Sequence, residues 1–159
     1  MEKKTAKAIL GMDLDGCVCE LSEPLKEELR KQGIQFDEST YPWADDAWFR
    51  ENPDVYLKAR PVKGAVDGLK RLMQDFDIVY ITRRPAEAFR QTKRWLRDHG
   101  IDFPVIVTED KGKAAKELGV TLAVDDSPED IRSYKVAGIP CYVVPKPYNQ
   151  KVEAHPFNW

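Results

Sequence analysis

The chain has 159 residues, enough for one domain with a core of its own and too few for two unless one is a small insertion. Charged residues make up 33% and hydrophobic ones 42%, the balance of a globular chain and not of a disordered or fibrous one. A formal net charge of -2 supplies no basic field for gripping a long nucleic acid, no apolar run is long enough to span a bilayer, and the Lys3-Lys4 start leads into no cleavage signal, so a cytoplasmic protein acting on small ligands is expected.

The first expected element is a strand near 7–13, which runs straight into Asp13-Leu14-Asp15-Gly16. Residues two apart on a strand point the same way. Where the strand ends between them, one carboxylate faces a ligand while the next stretch of backbone curls around it, and Gly16 permits the tight turn. The arrangement offers a carboxylate nucleophile, a second carboxyl able to move a proton, and a backbone carbonyl for a hard cation. Taken alone, an Asp-Gly turn after a buried strand accounts for the string equally well, so the rest of the chain has to decide. Cys17 and Cys19 follow. Together with Cys141 they make three, no second pair or His cluster completes a zinc set, and they read as small buried hydrophobes.

Residues 20–60 interrupt the pattern with a helix-like segment over 24–32 and then an aromatic piece, Tyr41-Pro42-Trp43, Trp48-Phe49 and Tyr56-Leu57. Ligands of an open α/β sheet sit beyond the carboxyl ends of the strands, so an insertion leaving the first strand's end lies over that site as a cap. Trp43, Trp48 and Phe49 are then candidates for touching a substrate. Forming the small core of the cap is the competing role for them.

From Lys63 onward, apolar runs rich in β-branched residues alternate with helical patterns. Val66, Leu69, Leu72 and Met73 recur at helical spacing, and a strand over 77–82 ends Ile81-Thr82-Arg83-Arg84-Pro85. A hydroxyl and two guanidinium groups thus stand just before a helix start, a place that attracts anions. Thr82 can hydrogen-bond a phosphate oxygen, while Arg83 or Arg84 can add a charged contact or lie solvated on the surface. Phe89, Lys93 and Leu96 mark the next helix, stopped by Gly100, with His99 meeting its dipole.

A strand near 104–108 precedes Glu109-Asp110-Lys111-Gly112-Lys113, which opens a helix that Gly119 stops. A cation at a helix amino terminus opposes the dipole, so Lys111 there requires an anion, with Lys113 as the alternative. The strand over 120–125 ends in Asp125-Asp126. Packed near Asp13 and Asp15, these carboxylates repel unless a divalent cation neutralises them, and with no cysteine or histidine set on offer, oxygen ligands favour Mg²⁺ over zinc. Asp126-Ser127 supplies the N-cap of a helix over 128–136, with Pro128 in its first turn and Glu129 and Asp130 matching its dipole. A last strand falls near 140–144, and the 152–159 tail is expected to pack back onto the domain in preference to an oligomer contact.

This order predicts an α/β doubly wound parallel sheet of about five strands with helices on both faces, in a single domain over 1–159 with residues 20–60 as a small cap insertion. With Asp13-Leu14-Asp15-Gly16, Thr82, Lys111 and Asp125-Asp126 at successive strand ends, nearly the whole chain resembles the haloacid dehalogenase (HAD) superfamily of phosphohydrolases. The resemblance implies a HAD-like Rossmannoid fold, attack of Asp13 on phosphorus to give an aspartyl-phosphate, and Asp15 as acid and then base. It further implies Mg²⁺ held by the Asp13 side chain, the Asp15 carbonyl and Asp126, with Asp125 second to these or acting through water and Asp130 in support.

Phe49-Arg50-Glu51-Asn52-Pro53, Pro61-Val62-Lys63-Gly64-Ala65, the Asp77-to-Pro85 string and Pro147-Tyr148-Asn149 look similar to the 5′(3′)-deoxyribonucleotidases and related bacterial and phage nucleotidase-like proteins. The run from Thr82 through Thr92 to Trp95-Leu96 is similar to the 3′-phosphatase domain of polynucleotide kinases, without a kinase P-loop. The expected function is Mg²⁺-dependent phosphomonoester hydrolysis of small (deoxy)nucleotides, by a monomer or homodimer. A polynucleotide 3′ end, a small phosphorylated metabolite, and a phosphate- or metal-binding module without catalysis are the alternatives.

Overall fold

Along Phe76–Thr82, Ile78 and Tyr80 enter one apolar layer while Val79 and Ile81 enter another, the period of two that a strand buried on both faces imposes. The computed structural model in which this is seen describes residues 6–40 and 42–159, so Lys3, Lys4 and Tyr41 lie outside the described residues. In chain order the elements are β1 (Ala8–Met12), β2 (Cys19–Glu20), α1 (Ser22–Lys31), α2 (Asp46–Glu51), a 3₁₀ segment (Pro53–Lys58), β3 (Arg60–Pro61), α3 (Ala65–Leu72) and β4 (Phe76–Thr82). There follow a 3₁₀ turn (Ala86–Ala88), α4 (Phe89–Asp98), β5 (Val105–Val107), α5 (Lys111–Leu118), β6 (Val120–Asp125), α6 (Pro128–Val136), β7 (Cys141–Val143) and a last 3₁₀ turn (Pro147–Asn149).

Five strands form one parallel sheet in the order β5-β4-β1-β6-β7. The chain works outward from β1 through β4 to β5, then returns across β1 to β6 and β7. The direction of strand order therefore reverses between β1 and β6, and beyond their carboxyl ends lies the crevice in which such sheets bind ligands. Leu69 of α3 and Trp95 and Leu96 of α4 cover one face, and Ala115 of α5 and Tyr134 of α6 cover the other. Opposite Ile9 and Leu10, β6 carries one extra residue, Thr121, so Val120 and Leu122 serve different layers.

The insertion between β1 and α3 is tied at its base by the antiparallel pair β2–β3, with Cys19 opposite Pro61. Its core gathers Leu25 and Leu29 of α1 with Val55 and Tyr56, and Phe36, Trp43, Trp48 and Phe49 pack against them. The short α2 was not foreseen. It buries no residue of its own and begins because the Asp45 side chain accepts the N–H of Trp48.

Ser127, not Asp126, caps α6, its hydroxyl facing the N–H of Asp130, which leaves the Asp126 side chain for other work. His99 ends α4 with Nδ1 2.7 Å from the Trp95 carbonyl. The tail does pack back: Phe157 N–H donates to Val143, and the Trp159 ring lies over Gly68 while its indole N–H donates to the Cys17 carbonyl at 2.8 Å. Among the described residues, no helix is long and apolar enough to cross a membrane.

Candidate active site

Asp13 is the first residue past β1, and its N–H still donates to Val124 at 3.0 Å, which carries the ladder one residue beyond the strand. The chain then winds tightly, the Leu14 carbonyl accepting from Cys17, Val18 and Cys19. Gly16 is needed here twice over. Its φ is +86°, and a Cβ at this point would overlap the Asp126 carboxylate.

Lys111 is the first residue of α5 and only 2% exposed. Its Nζ donates to Asp13 Oδ1 and to Asp125 Oδ2, both at 2.8 Å, and pairs with Asp130 at 3.3 Å. Three carboxylates thus answer the unfavourable dipole at that position. Lys113 is exposed on the outer side, so geometry chooses between the two lysines. Gly112 brings α5 close enough, because a Cβ there would overlap the Ser133 carbonyl of α6. Asp110 caps the helix by accepting from Lys113 N–H at 3.2 Å and from the Ser133 hydroxyl at 2.9 Å.

Both oxygens of Asp125 are used. Oδ2 takes Lys111, and Oδ1 accepts the N–H groups of Asp126 at 2.8 Å and Ser127 at 3.1 Å, so this residue braces the turn after β6. Asp126 faces Asp13 and Cys17. The Cys17 Sγ lies 3.8 Å from Asp13 Oδ2 and 3.9 Å from Asp126 Oδ1, and one atom from each of the three residues falls within 4.8 Å of the others.

Asp13, Asp125 and Asp130 surround one ammonium, with Asp126 beside Asp13 and Arg83 reaching Asp130 at 3.1 Å. Burial pushes the Asp13 carboxyl up to about 7, Lys111 opposing and Asp126 adding to the rise. Asp125 is also pushed up to about 7, by burial and by Asp13 against the pull of Lys111, and burial raises Asp126. Burial alone would lower Lys111, but Asp13, Asp125 and Asp130 hold it well above the ordinary lysine range. Cys17 is driven well above its usual value by burial and the neighbouring carboxylates, so it stays a neutral thiol. The cluster is short of positive charge, and its hard oxygen donors fit a divalent cation of the Mg²⁺ kind, with Asp13 and Asp126 as the side chains that would hold it.

The second carboxylate of the loop has a different partner. Asp15 accepts Arg84 Nε at 2.9 Å and Nη2 at 2.6 Å, a fork in which both its oxygens are engaged. Arg84 is buried, donates Nη1 to Thr92 at 3.1 Å and carries its guanidinium 4.2 Å from the centre of the Tyr56 ring. Burial disfavours its charge, but Asp15 more than compensates. Sequence reasoning offered Arg84 to the substrate; the structure sets it behind Asp15. Arg83 turns to Glu129 and Asp130 of α6. Thr82 is buried at the end of β4, its Oγ1 accepting the Arg84 N–H at 3.1 Å.

Trp43 and Trp48, offered as substrate contacts, are half-buried in the core of the insertion, Trp43 tilted against Phe36 and Trp48 edge-on to Phe49. Phe49 stacks on Tyr56, and it is Tyr56 that meets Arg84. Sequence reasoning missed the placement of Cys17, the pairing of Arg84 and the reach of Tyr148 and Asn149 to Asp126. Two signals were present: Cys17 follows Gly16 directly, and whatever follows that turn is carried into the site, while Pro147-Tyr148-Asn149 stood out as a nucleotidase-like string with no role attached.

A family model described as "5' nucleotidase, deoxy (Pyrimidine), cytosolic type C protein" matches residues 7–159. A "Putative nucleotidase" of Bacillus cereus is 33% identical over 104 residues, which are 60% of this chain and 54% of that protein, so the match spans about half the length of the relative. Among solved structures, the "putative HAD-hydrolase YfnB" of Bacillus subtilis, bound to magnesium, is similar with a TM-score of 0.65 at 17% identity, covering 96% of this chain and 93% of that one. A haloacid dehalogenase-like family hydrolase of Streptococcus pneumoniae is similar with a TM-score of 0.63 at 12% identity, covering 87% and 85%.

Proposed function

Because this chain belongs to the cytosolic type C deoxy (pyrimidine) 5′ nucleotidase family, of HAD-like fold, we propose that it is a Mg²⁺-dependent phosphomonoester hydrolase acting on small nucleotides through an aspartyl-phosphate on Asp13. The observation that carries this reading is the buried carboxylate cluster around Lys111 at the carboxyl ends of β1 and β6. Asp13, the Asp15 carbonyl and Asp126 would hold Mg²⁺, which supplies countercharge to the phosphoryl oxygens when bound.

A carboxylate oxygen of Asp13 attacks phosphorus, the phosphorus–oxygen bond to the leaving group breaks, and Asp15 passes a proton to the departing alkoxide. Asp15, then a carboxylate, takes a proton from water as that water attacks the acyl phosphate, which releases inorganic phosphate and restores Asp13. General acid–base help of this kind is worth about 10²–10⁴-fold. Arg84 keeps Asp15 in place through the two-pronged contact on its oxygens. Thr82, whose oxygen already accepts the Arg84 N–H, has its own hydrogen to give to a phosphate oxygen. Lys111 steadies Asp13 before attack and the phosphate after it.

The test is side-by-side turnover, with and without Mg²⁺, of deoxynucleoside 5′- and 3′-monophosphates, sugar phosphates and a 3′-phosphorylated oligonucleotide. Mg²⁺-dependent release of phosphate, fastest from the mononucleotides, is the expected result. Faster release from the oligonucleotide or from sugar phosphates would move the substrate class while leaving the chemistry intact. No release from any of them would refute the reading.

A further inference from the structure

The segment after β7 reaches back to Asp126 at two points. The Tyr148 hydroxyl donates to Asp126 Oδ2, and Asn149 Nδ2 donates to the Asp126 backbone carbonyl at 2.9 Å. Asn149 is 4% exposed and fully used: Nδ2 also donates to the Val144 carbonyl at 2.8 Å, and Oδ1 accepts the N–H of Lys146 at 3.0 Å. This closes the turn that presents Tyr148. With Oδ2 taking the Tyr148 hydroxyl, the carboxylate is biased toward the rotation in which Oδ1 lies beside Cys17 Sγ, on the side of the cluster that includes Asp13.

We propose that Tyr148, presented by the turn Asn149 closes, is a positioning residue that holds the Asp126 carboxylate in its cation-taking orientation and so sets the affinity of the protein for Mg²⁺. This rests on Asp13 and Asp126 being the cation ligands. Hydrogen bonds from outside a ligand set fix its orientation, and their loss typically weakens metal binding about 10–100-fold. A tyrosine that served packing alone would owe its effect to the ring, which phenylalanine keeps.

The experiment uses the full chain as wild type, Tyr148→Phe and Asp126→Asn, with Mg²⁺ binding followed by titration calorimetry and by the rise of Tm with Mg²⁺. Turnover is measured across the same range of cation. Tyr148→Phe is expected to bind Mg²⁺ at least about 10-fold more weakly, to keep the wild-type Tm without cation, and to regain turnover as Mg²⁺ is raised. Asp126→Asn is expected to lose binding. If wild type and Asp126→Asn respond to Mg²⁺ alike, the ligand assignment fails. If those two differ as expected but Tyr148→Phe binds as wild type does, or loses only cation-free stability, the role of Tyr148 is overturned and the ligand assignment stands.

Discussion

Lys111 stands where a helix dipole disfavours a cation, and it stays because Asp13, Asp125 and Asp130 outweigh the dipole at 2.8, 2.8 and 3.3 Å. Replacing it with Met leaves those buried acids unanswered. Lys111→Met should cost about 3–5 kcal/mol in urea unfolding above neutral pH, and less in acid, where the carboxyls take up protons instead; hydrolysis should fall to background. A variant as stable as wild type at both pH values would contradict the assignment of charges. At the other carboxylate, Asp15→Asn should lose about 10²–10⁴-fold in turnover with the fold intact by circular dichroism. At this scale the aspartates, Thr82 and a lysine were legible because each stands where an apolar strand gives way to polar residues. The choice of Lys111 over Lys113 needed the phase of α5. The Arg84–Asp15 fork joins residues 69 apart, and nothing in either neighbourhood announces it.

The site is delivered by elements that approach unusually closely. Helix α5 sets Lys111 at the sheet end only because Gly112 lets it meet the Ser133 carbonyl of α6. Gly112→Ala should push the two helices apart, cost about 1–3 kcal/mol, and lower turnover by moving Lys111. Denaturant melts and kinetics of the pure variant check both, and a fully active, fully stable Gly112→Ala would show that the helices have slack. Strands β1, β4, β5, β6 and β7 and helix α6 were readable to within a residue or so, since burial on both faces writes continuous apolar runs and Ser127-Pro128 marks a helix start. Helix α2 was not readable: six residues with none buried carry no periodic signal. The insertion's aromatics were legible as a group, but their direction was not, because a Trp that packs a small core and one that meets a ligand look alike in sequence.

For the molecule as a whole, the charge imbalance at the sheet end sets how stability responds to pH. Asp13 and Asp125, raised from the ordinary 3.8 to about 7, hold protons in the folded state that the unfolded chain has already released. Cation-free stability should therefore fall as pH rises from about 4 to about 7 and level off above. Mg²⁺, which favours the deprotonated cluster, should raise Tm more at alkaline than at acid pH. Thermal melts at several pH values with and without Mg²⁺ check this, and a Tm that climbs with pH without cation, or ignores Mg²⁺, would contradict it. The doubly wound sheet places its reversal point between β1 and β6, and there the chain gathers its buried acids. The central claim is that Asp13 takes the phosphoryl group. The most direct test is mass spectrometry of Asp15→Asn after incubation with Mg²⁺ and an aryl phosphate, whose leaving group needs no acid. A phosphoryl group should accumulate on Asp13, absent from Asp13→Asn treated alike. No adduct, or an adduct on another residue, while wild type turns over the same ester, would contradict the account.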